Sequence, residues 1–119
     1  TLVEDVRLNN SGQLAGYTKA RDLEFFLSLV GIGYQYWKTF APTKAIRNAY
    51  HADHDFARYE TAYRDLLAQR NALSTIDDGI FTSKSVCLLC SESTAEKCHR
   101  RVAAEWIAAC IPSLEIVHL

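Results

Sequence analysis

The chain has 119 residues, 49% of them hydrophobic and 23% charged, which supplies apolar material for one core and too little length for two. Thirteen Lys and Arg against 14 Asp and Glu leave a formal charge of -1, so whole-protein electrostatics give no support for a nucleic-acid or anionic-membrane partner. No apolar run approaches the roughly 20 residues of a membrane span and no basic stretch leads into an apolar one at the N-terminus, so the sequence reads as a soluble, cytoplasmic protein.

Residues 2–6 form a short apolar strand that empties into a polar loop containing Asn9, Asn10, Ser11 and Gly12. Thr18 is placed to cap a helix whose apolar residues Leu23, Phe26, Leu27 and Val30 follow the 3.6 period, and Gly31 to end it. Ile32, Tyr34 and Tyr36 alternate as in a strand. Pro42 and Thr43 open a short helix with Ile46 and Tyr50, and Asp55 caps the next, whose stripe is Phe56, Tyr59, Tyr63, Leu66 and Leu67. Residues 71–85 show no sustained period and read as a long loop with one turn near Ile80 and Phe81, suited to a lid.

Residues 86–90 are a continuous apolar run of the buried-strand type. Val102, Trp106 and Cys110 mark one face of a helix that Pro112 ends, and residues 115–119 read as a last strand. Strands alternating with helices predict an α/β fold: a three-layer sandwich with a small, mostly parallel sheet of about four strands and helices on both faces.

In an open parallel sheet the loops beyond the carboxyl ends of the strands converge on a crevice, and helix N-termini point their amides into it. On this reading the first strand delivers Asp5 and Arg7, the third Cys90 and Glu92, and the fourth His118. The four cysteines, Cys87, Cys90, Cys98 and Cys110, sit in or beside regular apolar segments and are expected to be free thiols. Cys87 and Cys90 are spaced Cys-x-x-Cys, but positions three apart on a strand face opposite sides, so they do not chelate together and Cys87 is read as a buried apolar residue. Cys90 lies where a strand gives way to a loop and a helix N-terminus, a setting that stabilises a thiolate. The sixth residue after it is Glu96, whereas cysteine phosphatases carry an arginine there.

Ser93 followed by Glu96 fits a helix capping box. His99 shares a helical face with Val102, Ala103 and Trp106, which suits an inward histidine satisfied by a carbonyl as well as a general acid/base. Arg100 and Arg101 at a helix start oppose the dipole, a cost that a bound anion offsets. His51, Asp53, His54 and Asp55 have metal-ligand residue types, although a turn between helices favours the same residues.

Asp5-Val6-Arg7, Gly16-Tyr17-Thr18-Lys19, Ala41-Pro42-Thr43, Cys90-Ser91-Glu92, Cys98-His99-Arg100 and Val117-His118-Leu119 together resemble the family catalogued as domain of unknown function 488, over nearly the whole chain. The resemblance implies a small bacterial or archaeal-type α/β domain whose shared polar residues gather at one crevice: Asp5, Arg7, Lys19, Cys90, Glu92, Cys98, His99, Arg100 and His118. It implies no agreed reaction. Members begin with a further strand and helix before the Asp-Val-Arg strand, so residues 1–119 are expected to be a single α/β domain without them.

Three functional readings follow. In the first, an enzyme pocket at the carboxyl edge of the sheet holds a small anionic or nucleotide-like substrate through Asp5, Arg7, Lys19, Arg100 and His118. Glu92 and His99 are then the acid/base pair and Cys90 or Cys98 the nucleophile. In the second, Cys98, His99, His118 and Glu92 or Cys90 hold zinc or iron, although neighbouring Cys98 and His99 project about 100° apart on a helix unless the helix begins after them. In the third, Asp5, Arg7, Glu92 and Arg100 form a structural ion-pair network in a non-catalytic binding module.

Overall fold

The computed structural model describes residues 1–11, 19–77, 79–92 and 94–119. Thr18, Gly16 and Tyr17, and Ser93 of the expected capping box, lie outside the described residues.

Three short strands, β1 (Leu2–Asp5), β2 (Gly33–Tyr36) and β3 (Val86–Leu89), form a parallel sheet in the order β2-β1-β3. Leu2 pairs with Gly33 on one side and Val86 on the other, and Asp5 with Tyr36 and Leu89. The expectation of about four strands is corrected: residues 115–119 form no strand and are exposed. β-propensity such as that of Ile116 and Val117 makes a strand only when the segment pairs with a neighbour, and this tail does not pair with the outer edge of β2 or β3.

Helix α1 (Ala20–Ser28) joins β1 to β2. The connection from β2 to β3 contains a 3-10 turn (Lys38–Phe40), α2 (Lys44–Asp53), α3 (Phe56–Gln69), a second 3-10 turn (Ala72–Thr75) and α4 (Ile80–Ser83); α5 (His99–Cys110) follows β3. The local signals for α2 and α3 hold: Thr43 accepts from the Ile46 amide and Asp55 from the Arg58 amide, each satisfying an orphan donor. His54, in the left-handed region at φ 54°, turns the chain between them, and Asp53 pairs with Arg58. The His51–Asp55 run is therefore a capped turn.

The core lies on the face of the sheet carrying Leu2 and Val6, where Trp37, Phe40, Tyr63, Leu67, Val102 and Ile107 meet. The Tyr63 hydroxyl donates to the Phe40 carbonyl at 2.6 Å, satisfying both buried groups. The long loop expected over residues 71–85, read as suited to a lid, is instead pinned to this core by Ala72, Ile76 and Ile80, which are buried in it, and by Phe81, which packs edge-on against Trp37. On the opposite face α1 packs beside β2 but buries none of its residues. Phe25, Phe26, Leu29 and Val30 stay exposed, and so does Cys87, contrary to its reading as buried. A complete third layer is thus not established.

Candidate functional site

From β1 the chain leaves toward β2 on one side and later returns to β3 on the other, so the loops after β1 and β3 part above neighbouring strands. A cavity of about 610 Å³ opens there. Arg7, Leu8 and Asn9 line it from the loop after β1; Cys90, Ser91 and Glu92 from the loop after β3; and Cys98 and His99 from the start of α5. The opposite wall is helical, with Arg47, Tyr50 and His51 from α2 and Phe56 and Tyr59 from α3.

At its floor, Cys90 Sγ lies 3.6 Å from His99 Nδ1 while His99 Nε2 lies 2.8 Å from the Val6 carbonyl oxygen. A carbonyl only accepts, so Nε2 carries the hydrogen and donates, which leaves Nδ1 as the ring nitrogen able to exchange a proton with Cys90. The imidazole is held further by edge-on packing against Tyr63, with ring centroids 5.7 Å apart. Cys98 precedes α5 in an extended conformation and caps it, its sulfur accepting from the Arg100 amide at 3.4 Å. Helix α5 therefore starts at His99, with Cys98 in the capping position expected for Ser93.

Cys90 Sγ, Cys98 Sγ and a ring nitrogen of His99 all lie within 4.8 Å of one another. Donation from the Cys98 thiol, followed by the contact with His99, outweighs burial and holds Cys90 well below the ordinary thiol range. The same shared proton, with burial, pushes Cys98 up. Of the two thiols, Cys90 is thus the one favoured to lose its proton.

Asp5 and Arg7 are one unit. The buried Asp5 carboxylate accepts from Arg7 Nε at 2.8 Å, Arg7 Nη2 at 2.7 Å, the Arg7 amide at 3.1 Å and the Tyr34 hydroxyl at 2.6 Å. Desolvation, then the bond to Asp5, pushes the Tyr34 phenol up to about 12. Asp5 is fully occupied in fixing Arg7, which reaches the cavity wall while Asp5 does not.

Of the residues singled out in the sequence, Arg7, Cys90, Glu92, Cys98 and His99 meet at the cavity, and Asp5 supports them from behind. Lys19 precedes α1 and does not line it. His118 sits on the exposed tail rather than at a strand end. Arg100 does not line the cavity and donates to the Glu92 carbonyl at 2.7 Å, tying the loop after β3 to α5. Arg101 binds Glu60 and Glu105 and lies over the Phe56 ring. The four residues expected to share an ion-pair network therefore form two separate contacts, only one of them between charges. Sequence reasoning missed Arg47, Lys97 and the aromatic wall: Tyr50, Phe56 and Tyr59 carry the same helical spacing whether a stripe faces a core or a cavity.

A parallel α/β domain with a Cys–His cluster at its switch point is the class that fold and site define. The family described as "Domain of unknown function DUF488" matches residues 1–107, and the chain belongs to it. No curated protein and no solved structure matches the chain.

Proposed function

We propose that the cavity is the active site of a thiol-dependent enzyme acting on a small anionic, nucleotide-like substrate, with Cys90 as nucleophile and His99 as its base. The observation that carries this reading is the 3.6 Å approach of Cys90 Sγ to a His99 nitrogen whose partner nitrogen is committed to the Val6 carbonyl. Cys90 attacks the electrophilic centre as the thiolate, its proton held on Nδ1 of His99. The bond from that centre to the leaving oxygen breaks, and the imidazolium returns the proton to that oxygen. Glu92, on the same rim, is placed to take a proton from water or an acceptor alcohol in the second half-reaction. With Arg7 already paired to Asp5, Arg47 and Lys97 in the lining are opposed among the described residues by one carboxylate, Glu92, which favours an anion, and Tyr50, Phe56 and Tyr59 offer ring faces to a planar group.

The test is peptide mapping after brief iodoacetamide treatment of the native protein at neutral pH. Cys90 is expected to react ahead of Cys87 and Cys110, although those two are exposed and Cys90 is half-buried. Nucleotides or phosphorylated sugars are expected to slow it. Labelling in order of exposure, with Cys90 inert, overturns the reading.

A second reading has its own observation. For a tetrahedral zinc ion, bond lengths of about 2.3 Å to sulfur and 2.0–2.1 Å to nitrogen place the two donors about 3.6 Å apart. That is the Cys90–His99 separation. The extended backbone at Cys98 removes the helical constraint that kept Cys98 and His99 apart, and Val6 would orient the ring from behind. His118 and the Glu92 side chain are not in this cluster. One zinc per chain in elemental analysis of the purified protein would favour this reading; absence of zinc favours the nucleophile.

A further inference from the structure

Group transfer by Cys90 has no use for a second thiol, yet the structure supplies one. Cys98 Sγ lies within 4.8 Å of Cys90 Sγ, and both sulfurs belong to residues lining the same cavity. Their accessibility differs: Cys98 is 1% exposed, while Cys90 is half-buried and open to small molecules. Cys98 is the extended N-cap residue of α5, its carbonyl accepting from the Arg101 amide and its sulfur from the Arg100 amide, so closing the sulfurs to a bond of about 2.05 Å gives up the long sulfur contact and no intrahelical turn. Neither other thiol competes. Cys87 points to the opposite face of the sheet from the core, and Cys110 lies at the far end of α5, about 18 Å along the axis from Cys98.

We propose that Cys90 and Cys98 are a reversible oxidative modification site, in which a peroxide converts the pair into a disulfide that switches the nucleophile off. This rests on the reading of Cys90 as the nucleophile of the site, and the approach of the two sulfurs within 4.8 Å in one cavity carries it. The thiolate attacks one peroxide oxygen, the O–O bond breaks, and the departing oxygen takes up a proton, leaving Cys90 as sulfenic acid with its sulfur oxidised by two electrons. The Cys98 sulfur then attacks the Cys90 sulfur; the S–S bond forms, the S–O bond breaks, and hydroxide leaves with the Cys98 proton as water. A dithiol reductant reverses the change, giving up two electrons and two protons as it becomes its own disulfide. While the bond exists Cys90 has no lone thiolate to offer His99, and the buried resolving thiol spares it from irreversible sulfinic acid.

The experiment treats the native protein with hydrogen peroxide, blocks remaining thiols with iodoacetamide and maps peptides without reduction. The expected result is a Cys90–Cys98 crosslinked peptide and at least about a tenfold loss of Cys90 alkylation, with dithiothreitol removing the crosslink and restoring the alkylation. In Cys98→Ser, Cys90 is expected to accumulate as sulfenic acid, trapped by a cyclic dione probe, and then as sulfinic acid. The wild-type map stands even if that variant fails to fold. Rapid alkylation of Cys90 with no Cys90–Cys98 link, or sulfinic acid at Cys90 while Cys98 stays reduced, overturns this inference and leaves the enzyme reading standing. Inertness of Cys90 to both reagents overturns the two together.

Discussion

His99 donates its Nε2 hydrogen to the carbonyl oxygen of Val6 across 2.8 Å, and that bond determines what the ring offers to anything on its other side. Val6 is the first residue past β1 and fully buried, so its carbonyl is fixed by the central strand of the sheet. A histidine tied there has one lone pair left, and Cys90 stands in front of it. The sheet's centre thus sets the chemistry of the loop after its edge strand.

His99→Gln removes that lone pair while an amide can still donate toward Val6. Cys90 alkylation at neutral pH is expected to slow by about tenfold, as a thiol with an ordinary pKa near 8.5 is only a few per cent ionised at pH 7. Cys87 and Cys110, labelled in the same sample, should keep their rates. An unchanged Cys90 rate would show that His99 does not activate it.

Glu4 gives a pH signature unrelated to the site. Its carboxylate is fully buried on the core face of β1, neither oxygen has a hydrogen-bond partner among the described residues, and burial, opposed by Lys84, raises its pKa from 4.5 to about 7. For an acid whose folded pKa is raised, the protonated form is the one the fold accepts. Its contribution is fully present below about pH 4.5 and lost as pH rises through about 7. Glu4→Leu should therefore stabilise more at pH 8 than at pH 4.5, by about 3 kcal/mol in urea unfolding. An equal gain at both pH values would contradict this.

Asp5→Ala leaves the Arg7 guanidinium, 8% exposed, without its buried counterion. A loss of about 3–5 kcal/mol is expected from the uncompensated charge. Asp5→Ala combined with Arg7→Met should cost less than the sum of the single changes, and a double-mutant cycle by chemical denaturation measures the coupling. Additive costs would mean that the two side chains do not depend on each other.

Between α3 and α5, Glu60 and Glu105 each bridge Arg64 and Arg101, with separations of 2.9–3.2 Å. These groups are partly solvated, so Glu105→Ala should cost only about 1 kcal/mol, shrinking toward zero in molar salt. A cost independent of salt would point to packing rather than charge.

The parts of this protein legible in its sequence are those that depend on neighbours along the chain. Thr43 and Asp55 cap their helices because a short polar side chain needs only the amide three residues ahead. The parallel arrangement follows from strands alternating with helices, and Arg7, Cys90, Glu92, Cys98 and His99 line one cavity beyond the strand ends, while Lys19, Arg100 and His118 do not. Elsewhere periodicity misled. The stripe of α1 has the spacing of a buried face, yet among the described residues Leu23 and Leu27 are only half-buried and Phe26 and Val30 are exposed; residues 115–119 have the composition of a strand yet pair with neither outer strand.

What the sequence determined by itself was which residue types stand at the strand ends and helix starts, since capping, turn and strand preferences act over a few bonds. Only the tertiary structure decided which of them touch. Cys90 and His99 are separated by a loop, and Val6 and His99 by 93 positions; their contacts depend on parallel pairing between β1 and β3 and on the packing of α5 against them. Whether the Tyr50, Phe56 and Tyr59 stripe walls a cavity or fills a core was settled in the same way, because an amphipathic helix specifies an apolar face and leaves its partner to the rest of the fold.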